Sequence, residues 1–389
     1  MPKPQMPRFT DAEAVARTMT PSYPVYCLRP HVLERQARIF LRRFPGEVLY
    51  AVKCNPEPLV IDTLYEAGIR HFDTASLPEI AQIAETYPEA HTYFMHPVKS
   101  RAVIKAAHAV FGVRHFVVDH PDELEKVLDE TNRDDDVVVI VRLTTPPSPG
   151  TLYHLSAKFG ATPELASELL ARADKAGCGT GLSFHVGSQC LTPEAYITAL
   201  EICGRILRDA AVSPDCLDVG GGFPARYVEM TSPPIDDFFA AIRSGLKQLA
   251  LDPNTRIFCE PGRAIVAPGC SLLVQVQLRK DERLYINDGI YGSLSETVDA
   301  GIRLPARLVR PKGPAPAEEE QRFVLCGPTC DSLDVVGGTF GLPADVREGD
   351  WIEIDQIGAY SNALATHFNG FFPDTFVVVE DEPPAYRDQ

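Results

Sequence analysis

Glu47-Val-Leu-Tyr-Ala-Val-Lys53-Cys-Asn-Pro56 is an apolar, β-prone run that ends on a lysine and is followed by a proline. Such a run sets a primary amine at the edge of a buried sheet, where burial can lower its pKa towards nucleophilic reactivity. A solvated lysine at a strand end is the plainer alternative, and the surrounding chain has to decide between the two.

Outward from Lys53 the same texture repeats. Short β-rich runs occur at Glu47–Lys53, His71–Ser76, His91–Pro97, His115–Asp119, Asp136–Leu143, Gly181–Ser188, Cys216–Gly222 and Arg256–Arg263. Amphipathic, helix-like stretches lie between most of them, at Leu59–Ala67, Pro78–Glu85, Pro121–Glu130, Pro163–Ala176, Pro193–Ala210 and Ile235–Leu249. Several open on a proline or an acidic residue suited to a helix's first turn. Eight strands alternating with helices predict an α/β fold, a (β/α)8 barrel, over residues 28–268.

Beyond residue 270 the long helices stop. β-branched runs at Ser271–Leu278, Leu284–Asn287, Arg322–Leu325, Asp350–Gln356 and Thr375–Glu380 predict a second, mostly antiparallel β domain built from residues 1–27 and 269–389. The Pro-rich, charged segment Arg310–Gln321 reads as an exposed loop within it. At 389 residues the chain exceeds what one core usually supports, which agrees with two domains.

A net charge of −16 argues against a nucleic-acid partner. The ten cysteines are scattered without paired metal or redox spacing, as expected of reduced thiols in the cytoplasm. The first twenty residues contain no apolar signal region, and no apolar run reaches membrane-spanning length.

In barrels of this kind chemistry gathers where the strands end. Those ends are polar here: Lys53, then Asp73 and Ser76, Arg142, His185-Val-Gly187-Ser188, Gly220-Gly221-Gly222, and Glu260-Pro-Gly262-Arg263. The glycine run lets backbone N–H groups approach an anion, although it could equally be a strained turn. Ser188 and the Gly262 backbone could add further donors. A lysine, a phosphate cradle and a carboxylate match the needs of pyridoxal 5'-phosphate, with Glu260, kept ionised, as the partner of the pyridine nitrogen. The alternatives are a rim salt bridge between Glu260 and Arg263, and a satisfied core position for His185, which otherwise stacks on the ring. Cys326-Gly-Pro-Thr-Cys330-Asp331-Ser-Leu-Asp334 offers a general acid beside an anion for a substrate ammonium. No His or Cys pair stands nearby to make its CxxxC spacing a metal site.

These segments, with Leu155-Ser-Ala-Lys158-Phe-Gly160, Asn287-Asp-Gly-Ile-Tyr291-Gly292, Gly358-Ala-Tyr360 and Phe368-Asn-Gly-Phe371, resemble the fold-type III pyridoxal-phosphate decarboxylases of the ornithine, lysine and arginine group. The resemblance implies an alanine-racemase-like fold, covalent attachment of the cofactor to Lys53, and His185 stacked on its ring. It implies phosphate contacts from Ser188, Gly220, Gly221, Gly222, Gly262, Arg263 and Tyr360, with Asp73 and Arg142 beside the ring. It further implies a homodimer with shared active sites. Cys330 and Asp331 then come from the partner chain, as proton donor and ammonium ligand, and Lys158 and Asp334 form an ion pair across the interface. Asp299, with Asp331, would bracket the distal ammonium, and Tyr291 and Phe368 would line the pocket.

Ornithine is the first expectation for the substrate. Lysine, or both, is the second, because Val298 stands where the better-known eukaryotic members carry a tyrosine before the aspartate. A racemase would not need the Cys330-Asp331 turn. A non-catalytic regulator could have lost Lys53, Glu260 or Cys330, and all three are present.

Overall fold

The computed structural model describes residues 6–147, 151–153 and 157–384. Eight strands, Glu47–Ala51, His71–Thr74, His91–Phe94, His115–Val118, Val138–Arg142, Gly179–Ser183, Cys216–Asp218 and Arg256–Cys259, pair in chain order. All pairs are parallel, and the eighth strand pairs with the first through Phe258–Glu47 and Cys259–Val48, closing the barrel. Inside, Leu49, Tyr93, Met95, Val117, Ile140, Cys216 and Phe258 pack together, so the barrel is a filled core with chemistry confined to its mouth.

The intervening helices follow from local sequence. Pro163–Lys175 starts where Thr162 Oγ1 accepts the Leu165 N–H at 3.3 Å, and Pro121–Glu130 carries Asp122 and Glu123 in its first turn. Pro58–Ala67 ends at Gly68, whose φ of 114° suits a residue without Cβ. Three helices of eight or more residues were not singled out in the sequence, Ala12–Met19, Pro30–Arg43 and Arg101–Ala109, nor were the four-residue helices Arg263–Val266 and Glu296–Asp299. Pro30–Arg43 is rich in arginine, which dilutes its apolar period, yet Val32, Leu33, Ala37 and Phe40 form a buried stripe.

The strands are also shorter than the apolar runs suggested, and the sixth starts at Gly179 rather than Gly181. Lys53 lies just past its strand in a 3-10 turn, Val52–Cys54, and Ser76 serves as the N-cap of the helix Leu77–Thr86. Lys53, His185, the glycine run and Glu260 therefore sit on the turns that leave the barrel, while Asp73 and Arg142 lie at the ends of its strands.

The second unit is a nine-stranded, mostly antiparallel sheet. Val25–Leu28 pairs with Cys270–Lys280 and with Thr375–Val379, bringing the start and end of the described chain into one sheet. The strands Arg8–Phe9, Val25–Leu28, Ala306–Val309 and Phe340–Pro343 were not among the runs read from the sequence. Arg29 is fully buried under this sheet, ion-paired with Glu353 at 2.8 Å and Asp381 at 3.0 Å and bonded to Ser271.

Candidate active site

Lys53 leaves the barrel mouth with its amine ion-paired to Asp73, a carboxylate that is 1% exposed on the second barrel strand. The lysine side chain itself remains 42% open, so the amine is accessible to a ligand. Burial alone would lower its pKa, but Asp73, Glu260 and Tyr360 together outweigh burial and raise it. The sequence reading expected the opposite direction. It saw the apolar strand and not the ring of acceptors around the strand's end.

Glu260 faces Asp218, a residue the sequence reading left without a role. Burial pushes the Asp218 carboxyl up to about 6, against the pull of hydrogen bonds from Glu260 and the Gly220 N–H. Glu260 is pushed well above the usual carboxylate range by burial, then by the charges of Asp218 and Asp73. Lys53 acts the other way. Burial and the neighbouring carboxyls thus work against the ionised Glu260 expected from the sequence, and the carboxylate paired with Arg263 is Glu296. One oxygen of Asp73 and one of Asp218 are buried with no hydrogen-bond donor from the described residues.

His185 stands on the turn above the sixth strand. The Gly187 N–H donates to its Nδ1 at 3.0 Å, which leaves Nε2 as the protonated nitrogen. Burial, with Arg142 and Lys53 nearby, lowers its pKa far below the ordinary value, so the ring is neutral. Arg142 closes the fifth strand, its guanidinium 5.6 Å from the Phe159 ring centroid.

The glycine run forms a backbone cradle. Gly220 and Gly222 have φ of 67° and 103°, and a Cβ on Gly220 would come within 2.0 Å of the Phe184 carbonyl. Only glycine fits such positions without strain. Ser188 and Arg263 lie at the same end, with Arg263 Nη2 3.3 Å from Ser188 Oγ and the guanidinium 4.9 Å from the Tyr360 ring centroid. Tyr360 itself has φ of 53° and donates its backbone N–H to the Cys54 carbonyl at 2.9 Å. Gly262 precedes the short helix Arg263–Val266, and a Cβ there would meet Cys54 Cβ at 2.9 Å. The carboxylate on Arg263 is Glu296, at 2.6 and 2.7 Å, a residue no motif had pointed to.

A second cluster lies on the β domain. Tyr291 Oη donates to Asp331 at 2.5 Å, its ring is 4.7 Å from that of Phe368, and the Cys330 N–H donates to Asn369 at 3.0 Å. Of the ten free cysteines only Cys330 is exposed. The Leu333 N–H and Tyr291 hold Asp331 below its usual pKa. Asp334 is 3% exposed and accepts from the Ile290 N–H, the Thr329 N–H and Thr329 Oγ1, bracing the turn from within. Lys158 stands over the Phe159 ring at 4.9 Å and makes no contact with Asp334 in this chain. Leu155 and Ser156 of its motif lie outside the described residues. Asp299 ends the short helix Glu296–Asp299, close enough, with Glu296, to help raise the pKa of Tyr153, though burial is the larger cause.

Together these features fit pyridoxal phosphate. An accessible amine faces a buried group of three carboxyls whose spare oxygens call for a cationic ring nitrogen. A neutral imidazole borders a glycine cradle with an arginine and a serine at the far end. Lys53, Glu260, His185 and the cradle are the residues that would hold the aldehyde, nitrogen, ring and phosphate.

Comparison with known proteins agrees. Residues 31–267 match the model of the pyridoxal binding domain of pyridoxal-dependent decarboxylases. The chain is 31% identical to the lysine/ornithine decarboxylase of Selenomonas ruminantium, over 97% of this chain and 95% of that one. Its structure resembles that of lysine/ornithine decarboxylase from Vibrio vulnificus complexed with putrescine, with a TM-score of 0.81 and 33% identity over 95% and 99% of the two chains. It also resembles the arginine decarboxylase of Paramecium bursaria Chlorella virus, with a TM-score of 0.84 and 27% identity over 95% and 99%. The cofactor is pyridoxal phosphate and the reaction class is carboxy-lyase. With a closed parallel barrel, a cofactor-shaped mouth and relatives that act on three basic amino acids, the chain belongs to the pyridoxal-dependent decarboxylases of the ornithine, lysine and arginine group.

Proposed function

We propose that this enzyme converts L-ornithine to putrescine and carbon dioxide in the cytoplasm, as a step of polyamine biosynthesis, with lysine as a second substrate. The observation that carries the substrate reading is the pair of carboxylates, Asp299 and Asp331, each on its own short turn near the chain's functional clusters. One belongs to the helix tied to the cofactor-phosphate arginine, the other to the exposed Cys330 turn. Two carboxylates suit a distal ammonium.

In this reading residues 28–268 hold the cofactor and the second unit supplies the substrate groups. Bound pyridoxal phosphate serves as the electron sink for the pair left at Cα when carbon dioxide departs. Lys53 holds the aldehyde carbon, and Asp73 keeps the displaced amine protonated and in place. Glu260 holds the proton at the ring nitrogen, and His185, neutral, covers one ring face. The Cys330 Sγ–H delivers the proton to Cα.

Within one chain the Cys330-Asp331 turn bonds to Tyr291, Leu333 and Asn369 and Lys53 pairs with Asp73, and this reading takes a second copy whose Cys330 turn covers the first copy's barrel mouth. Exposed apolar side chains around that turn, Leu333 at 71%, Leu364, Phe368 and Phe371, favour such a contact. Lys158 and Asp334 would face each other across it.

The test is carbon dioxide release from ornithine, lysine, arginine and diaminopimelate, assayed in parallel with purified protein and pyridoxal phosphate. Ornithine should give the highest kcat/KM, with lysine second. Preference for arginine sinks the substrate assignment, and preference for diaminopimelate sinks the roles of Asp299 and Asp331.

A further inference from the structure

Arg263 is 4% exposed and its five N–H donors can be counted. Nη1 donates to Tyr227 Oη at 2.9 Å and to Glu296 Oε2 at 2.7 Å. Nη2 donates to Ser188 Oγ at 3.3 Å and to Glu296 Oε1 at 2.6 Å. Nε is buried without an acceptor among the described residues. Four donors are engaged and one is spare.

A phosphate bound in the usual two-point manner of an arginine needs two donors. At this guanidinium one acceptor must therefore give way. The Ser188 bond is the longest of the four, but Ser188 is itself a phosphate donor in the reading above, so its hydroxyl turns with the phosphate. Glu296 remains on both terminal nitrogens. Its side chain is 12% exposed, so its charge is weakly screened by solvent, and it bears the same sign as the phosphate.

We propose that Glu296 competes with the cofactor's phosphate for Arg263 and so limits how tightly this enzyme holds pyridoxal phosphate. The inference rests on the assignment of the cradle as the phosphate site. It makes Glu296 a residue that sets cofactor affinity through Arg263, and it predicts a cofactor that exchanges from the protein more readily than it would without this carboxylate.

The test is titration of the cofactor-stripped protein with pyridoxal phosphate and with pyridoxal, which lacks the phosphate, followed by absorbance of the bound aldehyde. Glu296→Gln should lower the Kd for pyridoxal phosphate by about tenfold and leave that for pyridoxal within about twofold, a difference carried by the phosphate alone. Glu296→Asp keeps the charge but reaches both nitrogens less well, and should move the same preference by about threefold. It serves also if the glutamine variant does not fold. A preference that stays level or falls in the folded variants overturns the competition and makes Glu296 a brace for Arg263. A wild-type protein that takes up neither aldehyde overturns the cofactor assignment itself, and this inference with it.

Discussion

Asp73, a buried carboxylate on the second barrel strand, holds the Lys53 amine as an ammonium at the end of the first. The pair is the local balance between burial, which disfavours charge on Lys53, and three acceptors that favour it. Replacing Asp73 by Asn removes the nearest of those acceptors and leaves burial less opposed, so the amine's pKa should fall. An amine must be unprotonated to attack the cofactor's aldehyde, and capture should therefore speed up as pH rises. In Asp73→Asn the midpoint of that rise should move down by about one unit or more. Rates of absorbance change on mixing stripped protein with pyridoxal phosphate, taken across alkaline pH, give the midpoint. An unmoved midpoint would show that Asp73 does not control Lys53.

Gly222 places a similar demand on geometry. Its φ is 103°, and a Cβ there would stand 2.5 Å from the Gly187 carbonyl oxygen, so Gly222→Ala must push apart the two turns that form the cradle. A loss of roughly 2 kcal/mol in stability is expected from strain of this kind, with a collapse of pyridoxal phosphate affinity. Gly68→Ala provides the contrast: φ is 114° at a helix end remote from the cradle, so it should lose stability and keep its cofactor. Thermal unfolding and cofactor titration of both variants make the comparison. Wild-type affinity in Gly222→Ala would falsify the cradle.

The barrel was legible in the chain because its strands are buried on both faces and so read as apolar runs, Val138–Val141 most plainly. Lys53, His185, Glu260 and the glycines were legible because they break those runs at one end. Asp218 was not, since an aspartate closing an apolar strand before Gly220 looks like a turn residue until the fold sets Glu260 against it. Glu296 was invisible for a related reason: it is 33 residues from Arg263 and belongs to no motif. The direction of the Lys53 shift required knowing which carboxylates converge on it, and that depends on pairing between neighbouring strands rather than on its own neighbours in sequence.

At the opposite end of the barrel, His71, His91 and His115 open three successive strands beside Arg256. The His115 pKa is lowered to about 4, first by burial and then by Arg256, His71 and His91. A histidine ordinarily titrates near 6.5, so between these values the unfolded chain binds the proton that the folded chain refuses. Stability should accordingly fall as pH drops through that window. Between pH 7 and pH 5 the His115 contribution comes to roughly 2 kcal/mol. His115→Gln should remove most of that slope. Urea unfolding of both proteins at pH 7 and pH 5 measures it, and an identical fall in the two would clear His115 of the effect.

The strongest consequence of the Cys330 turn concerns two chains together. Lys53 and Cys330 have different partners within one chain: Lys53 is ion-paired to Asp73, and Cys330 donates its backbone N–H to Asn369. If a site combines one copy's barrel mouth with the other's turn, then Lys53→Ala and Cys330→Ala homodimers each lack one essential group in both sites and are inactive or nearly so. A mixed dimer concentrates both lesions in one site and leaves the other whole. Random exchange of equal amounts makes half the dimers mixed, each with one working site of two, so activity should return to about a quarter of wild type, following from two-fold symmetry. Native mass spectrometry establishes that the subunits have exchanged, and carbon dioxide release reports activity before and after. Exchange without recovery would mean that Cys330 acts within its own chain or not at all, and the proton at Cα would need another donor.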